Sequence, residues 1–207
     1  MSKDVKTDTE IKSSSKVNLS RRKLAKAGVG VVPVIMTLTS RPVLGAYCSV
    51  SGMLSGNLSR DTSQVHCEGF SPGYWGNLGA KLGYPAPYFE GNFIDKNGNA
   101  CTHPKDIDYQ NSGGTKFGDV FVGIGLDGID HTNETLLEVV WKYPGSLAFY
   151  AVAHLLNAAS GIPTYLLTEA QIIDMYDQWA TNGFYEPAPG VTWDEQDIKD
   201  FLEQTQH

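Results

Sequence analysis

The chain is 207 residues long, 41% hydrophobic and 11% aromatic, which is enough apolar content to bury a core and too much for a wholly disordered polymer. Its net charge of −7 hides an uneven split: residues 1–46 hold 9 Lys/Arg and 3 Asp/Glu, a net +6, whereas residues 47–207 hold 7 and 20, a net −13. An acidic body repels phosphate backbones and anionic lipid, so nucleic acid and a membrane surface are excluded as partners.

Residues 1–20 are rich in Ser, Thr and Lys and show no apolar period, so no packed element is expected there. Ser20-Arg21-Arg22-Lys23-Leu24-Ala25-Lys26 follows, then an apolar run from Ala27 to Thr39, then Arg41 and the small residues Leu44-Gly45-Ala46. A charged start, a short apolar stretch and a small-residue end are the parts of an export signal. The pair Arg21-Arg22 resembles a twin-arginine signal, a receptor-read export address. The run is too short to cross a bilayer that needs about 20 residues, and Pro33 interrupts it. Tyr47 before Cys48 is too large for a lipoprotein junction. The expectation is a signal over residues 1–46, cleavage near Ala46, and a mature domain over residues 47–207 with no permanent membrane span. A cytosolic tail and a retained anchor are the alternatives.

Within residues 47–128 turn signals dominate: Ser51-Gly52, Ser55-Gly56, Pro72-Gly73, Asn97-Gly98 and Gly113-Gly114. Phe93-Ile94 before Asn97-Gly98 has the makings of a hairpin, and Phe117 to Ile124 reads as a short strand or extended stretch. Residues 129–207 change to helical spacing. Leu136, Leu137, Val140 and Trp141 define a helix from Asn133 to Lys142, which stops before Pro144-Gly145. Ser146 caps a helix over Leu147–Ala159, with Leu147, Tyr150, Ala151, His154, Leu155 and Ala158 on one stripe. Thr168 with Gln171 forms a capping box for a third helix through Trp179 that stops at Asn182-Gly183. Thr192 with Glu195 opens a fourth, with Ile198, Phe201 and Leu202 on one face. The fold class expected is mainly α: a compact bundle of about four helices in the C-terminal half, packed with a loop- and turn-rich N-terminal half containing little strand.

Ser71-Pro72-Gly73-Tyr74-Trp75-Gly76-Asn77 resembles the signature of a family of exported bacterial proteins that carry an SPGYWKNH-type motif. The resemblance extends through residues 135–140, through Ala151-Val152-Ala153-His154-Leu155-Leu156-Asn157-Ala158-Ala159, and through residues 167–171 and 192–198. It implies export and brings no established activity. Here Gly-Asn-Leu follows Trp75 where many members have Lys-Asn-His, so no role of that histidine carries over.

No G-x-G-x-x-G after a strand, P-loop, C-x-x-C-H or H-E-x-x-H is present, which argues against nucleotide and haem chemistry. His66-Cys67 and Cys101-Thr102-His103 offer two thiolates and two imidazoles, the donor set of tetrahedral zinc, though at no standard spacing. In an oxidising compartment the same cysteines read more simply as a disulfide of Cys67 with Cys101 or Cys48. Cys101 is the preferred partner, because His66 and His103 would then flank the bridge. Asp127, Asp130 and Glu134 offer oxygens for Ca²⁺, but the D-x-[DN]-x-[DN]-G loop is missing. His154 reads as a hydrogen-bonded core histidine and Asn157 as a cap for a neighbouring loop. Pro72, Gly73, Tyr74 and Trp75 read as an anchor that pins the loop-rich half to the helices.

The function expected from the residues is therefore an exported, non-enzymatic structural or interaction protein, with protein partners or self-association and no cofactor. One alternative is a small metalloprotein using His66, Cys67, Cys101 and His103. The other is a carbohydrate-binding module that stacks sugars on Tyr74 and Trp75.

Overall fold

The structure, a computed structural model, describes residues 48–51 and 67–206. The expected signal over residues 1–46, with Arg21 and Arg22, and also His66, lie outside the described residues. The described part is mainly helical. Its longer helices are α1 (Leu136–Lys142), α2 (Leu147–Ala159), α3 (Glu169–Asn182) and α4 (Glu195–Glu203), all in the C-terminal half.

Capping chemistry starts each of them. Before α1, the Thr135 hydroxyl accepts the Glu138 N–H at 3.1 Å while the Glu138 carboxylate accepts the Thr135 N–H at 3.4 Å. The helix begins at Leu136, three residues after the expected Asn133, because the hydroxyl that can receive an orphan N–H sits at Thr135. The Ser146 hydroxyl accepts the Phe149 N–H at 3.1 Å and opens α2. Thr168 and Gln171 close a reciprocal box at α3, and Gly183 ends that helix in the left-handed region at φ 89°.

The start of α4 differs from the expectation. Its N-cap is Asp194, boxed with Asp197, and not Thr192 with Glu195. Thr192 is instead part of strand β2 (Val191–Trp193), which pairs antiparallel with β1 (Tyr185–Ala188) in the register Tyr185↔Trp193. The hairpin buries Tyr185 and Trp193, and Trp193 packs on Phe201 of α4 at 5.1 Å between ring centres.

Helix α2 is the centre of the body. It packs against α1, α3, α4 and the short helix Pro72–Tyr74. A single stripe was expected, but Ala151 to Asn157 are buried without a break, so the helix is covered on all sides. The small side chains of Ala148, Ala151 and Ala153 let those neighbours come close. Over 117–124, read as a short strand or extended stretch, no regular strand forms. Phe117–Asp119 is a 3₁₀ turn, and the stretch is tied down by the isolated bridges Lys116↔Thr135 and Ile124↔Asp130 and by the Val122 N–H, which donates to Asp177 of α3 at 2.7 Å. Gly118 and Gly123 interrupt the alternation a strand would need. Phe117 and Phe121 still serve the core, stacked at 4.7 Å and meeting Tyr176 of α3 edge-on. The turn at Asn97-Gly98 carries its bridge, Ile94↔Ala100.

The segment after Ser71 is helical, which the sequence reading does not anticipate. Pro72–Tyr74 runs into a π turn, Trp75–Gly79, and then into Ala80–Leu82. Three glycines in eleven residues lower its helix propensity, so packing must hold it. Gly76 shows how: a Cβ there would stand 2.9 Å from a methyl of Val140 on α1. All described residues belong to one compact unit, Pro42–His207. Among them no helix is long and apolar enough to cross a membrane.

Candidate functional site

The segment at Phe70–Trp75 and the buried polar residues of α2 converge inside the body. Asn157 of α2 is fully buried, and its side-chain oxygen accepts both the Phe70 N–H and the Trp75 indole N–H, each at 2.9 Å. Its amide nitrogen donates to the Phe70 carbonyl at 2.9 Å. One side chain thereby satisfies a backbone pair and a ring of the motif segment. Trp75 is only 4% exposed, and Phe70, Tyr74 and Tyr84 surround its ring. Gly69 completes the contact: its N–H donates to the Thr205 carbonyl at 3.2 Å, and a Cβ there would lie 2.6 Å from that oxygen.

His154, one turn before Asn157, ties in the C-terminal end. The Gln206 amide donates to Nε2 at 2.9 Å, which leaves the single imidazole proton on Nδ1. There the Tyr165 hydroxyl oxygen accepts at 2.6 Å and the Thr205 hydroxyl lies at 3.3 Å. Burial depresses the His154 pKa to about 3, so the ring is neutral at physiological pH. Burial also raises the Tyr165 pKa. This arrangement is a clasp: α2 holds the motif segment through Asn157 and the C-terminal turn through His154. Its polar groups bond one another and the backbone.

The cysteine and histidine cluster comes apart. Cys67 forms its disulfide with Cys48, with the Cα atoms 5.7 Å apart, and not with the preferred Cys101. Cysteine spacing alone cannot choose a partner, and here the segment at residues 48–51 is the one that reaches Cys67. Cys101 is free and half-buried; burial first, then Asp106 and Asp95, raises its thiol pKa. With its sulfur in the disulfide, Cys67 supplies no thiolate to the alternative zinc set. His103 turns elsewhere: its Nδ1 accepts the Lys105 N–H at 3.2 Å, and its ring packs edge-on against Trp141 at 5.1 Å. Among the described residues no group of His, Cys, Asp or Glu gathers as a metal site. Asp127 and Asp130 cap their own turns, accepting the N–H groups of Ile129 and Thr132. The Tyr74-Trp75 sugar platform is corrected too, because the Trp75 face and N–H are both covered.

Among the described residues, surface cavities open beside α1. Two surface cavities of about 410 and 440 Å³ share Tyr109, Gln110, Glu138 and Lys142 in their walls and so adjoin as one groove. Lys96, Lys105 and Trp141 line the first, and Lys116, Asn133 and Glu134 the second. The acidic groups here are engaged by their own neighbours. Glu138 pairs with Lys142 and caps α1. Glu134 accepts from the Tyr143 hydroxyl at 2.7 Å and meets His131 Nδ1 at 2.6 Å. The Asn111 amide donates to Asp108 at 2.7 Å. The hydrogen bond to Glu134 first, then burial, pushes the Tyr143 pKa up to about 12. Burial, then Glu138 and Cys101, raises that of Tyr109.

Sequence reading misses this groove, since its residues are spread over 47 positions without a motif. The available signal is the scarcity of cations after residue 46, which makes the position of each lysine informative. Among the described residues the fold and site thus define a mainly α protein with an internal clasp and a groove beside α1 that four lysines line. No family model, curated protein or solved structure matches the chain.

Proposed function

We propose that the protein is exported, by the twin-arginine-type leader at Arg21-Arg22, and acts at the bacterial cell surface or matrix as a non-enzymatic interaction protein. The observation that carries this reading is the clasp. Its motif residues Trp75, His154 and Asn157 hold the fold together through buried hydrogen bonds, as a binding scaffold requires. The Cys48–Cys67 disulfide supports an oxidising destination. By the chain-entropy argument, closing a loop of 19 residues contributes about 3 kcal/mol, a large share of a small domain's stability.

Expression of the full chain in bacteria with and without a working twin-arginine pathway tests the reading. With the pathway, a chain shortened by about the first 46 residues is expected outside the cytosol, in line with signal cleavage after a small residue. Alkylation and intact mass should show one disulfide and one free thiol, that of Cys101. Full-length chain retained in the cytosol of both strains, or exported chain with every thiol free, would overturn it.

A further inference from the structure

We propose that the groove along α1 is a binding site for a carboxylated polysaccharide, a uronate polymer. The proposal deepens the reading of the chain as an exported interaction protein, and rests on it, by giving the interaction a ligand class.

Charge is the first argument. The body carries −13 over residues 47–207, yet Lys96, Lys105, Lys116 and Lys142 all line this groove. Only Lys81 and Lys199 stand elsewhere among the described residues. Lys142 is neutralised by Glu138 and lies 3.9 Å from Glu134. Lys96, Lys105 and Lys116 are exposed and form no ion pair among the described residues. The groove's own carboxylates already have hydrogen-bond donors, as described above. Lys96, Lys105 and Lys116 therefore face the solvent of an open trough whose walls hold four lysines against the three carboxylates Asp108, Glu134 and Glu138. At physiological salt the screening length is about 8 Å, so a ligand in the trough meets these cations more strongly than the acidic surface beyond.

The second argument is the presence of fixed rings. Trp141 is 37% exposed, whereas Trp75, Trp179 and Trp193 are buried. The edge-on His103 ring holds its orientation, so the indole is set in place before any ligand arrives. Tyr109 is held likewise, its hydroxyl donating to the Pro104 carbonyl at 2.8 Å and Lys142 lying 5.8 Å from its ring centre. An exposed indole face offers its negative quadrupole to the C–H face of a sugar ring. The amides of Gln110 and Asn133 in the same walls suit hydroxyl groups.

These features choose among polyanions. Nucleic acid brings a charge about every 1.7 Å and would press it against the acidic body. An acidic peptide supplies carboxylates but leaves the Trp141 face unfilled. A uronate chain has one carboxylate per sugar and a ring face beside it, so both features of the groove are used.

Titration of the oxidised full chain with oligogalacturonate, followed by calorimetry and Trp fluorescence, tests the assignment. Wild-type protein should bind the acid form and not its methyl ester, and binding should weaken with added salt. The triple variant Lys96→Gln, Lys105→Gln, Lys116→Gln should bind at least about tenfold more weakly, as expected for losing several surface charge pairs. Lys81→Gln, outside the groove, should leave binding unchanged, and Trp141→Ala should reduce it by about fivefold or more. The lysines are exposed, so the triple variant keeps its fold and decides the matter even if Trp141→Ala does not. Absence of wild-type binding, equal binding of the ester, or equal binding by the triple variant would overturn the proposal. Poly-glutamate binding as tightly as oligogalacturonate would also overturn it and assign the groove to an acidic peptide. None of these outcomes bears on export, which the compartment and thiol measurements read separately.

Discussion

Asn157→Ala should lower the unfolding free energy by about 2–4 kcal/mol, because it strands the buried Trp75 indole N–H at about 1–3 kcal/mol and removes the partner of the part-buried Phe70 N–H and carbonyl. Asn157 has no exposed surface, and its truncation leaves a three-atom cavity in which a single water would recover only part of the three bonds. For a body of this size the melting temperature should fall by roughly 2–4 °C per kcal/mol. Trp75→Phe removes only the indole bond and some ring volume, so its cost should be smaller, about 1–3 kcal/mol. In the double variant the two losses should fall short of additivity by about 1 kcal/mol, the energy of the shared hydrogen bond. Urea melts of the four proteins give every quantity required. A loss under about 1 kcal/mol for Asn157→Ala would mean that the clasp is replaceable.

The second large effect is acid sensitivity from His154. Its pKa is depressed to about 3 in the folded protein, from an ordinary value near 6.5, by burial among the uncharged Tyr165, Thr205 and Gln206. Below pH 6.5 the unfolded chain takes up a proton that the folded chain refuses, so stability falls as pH drops and stops falling below about 3. The slope approaches 1.4 kcal/mol per pH unit inside that window, so moving from pH 6.5 to 4.5 should cost about 2–3 kcal/mol. His154→Gln cannot titrate, and the difference between its stability-versus-pH curve and the wild-type curve isolates the histidine. Other titrating groups cancel in that difference. Parallel curves for the two proteins between pH 6.5 and 4 would show that His154 is solvated or protonated in the fold.

Much of the helical half is legible because its signals are local. Ser146, Thr168 with Gln171, and Asn182-Gly183 mark starts and stops through hydrogen bonds that span only a few residues. The hairpin before α4 is hidden for the opposite reason. Pro187 and Pro189 argue against a strand, and Tyr185 pairs with Trp193 only because both bury their rings against the helices. That pairing displaces the cap from Thr192 to Asp194. The helical turn after Ser71 depends on Val140 and Asn157 accepting Gly76 and Trp75, contacts more than sixty residues away in sequence. Propensity has nothing to report there. The disulfide partner of Cys67 is a choice between loops, and only the folded chain makes it.

The site divides in the same way. His154 and Asn157 on the apolar pattern of α2 announce interior polar roles, since a polar residue amid such a run must find a partner. Their partners, Phe70, Trp75, Tyr165 and Gln206, are fixed by the tertiary fold. The groove is less legible still: Lys96, Lys116 and Trp141 share no periodicity, and His103 meets Trp141 only across the fold.

The central claim is that the SPGYW segment is an internal clasp and not a surface for ligands. Hydrogen exchange of the tryptophan indole protons, read by NMR, measures this directly, with exposed Trp141 as the fast internal reference. If Asn157 holds the Trp75 indole as described, that proton should exchange only through global unfolding, with an opening free energy equal to the stability from denaturant melts. A Trp75 proton that exchanges as fast as that of Trp141 would contradict the account.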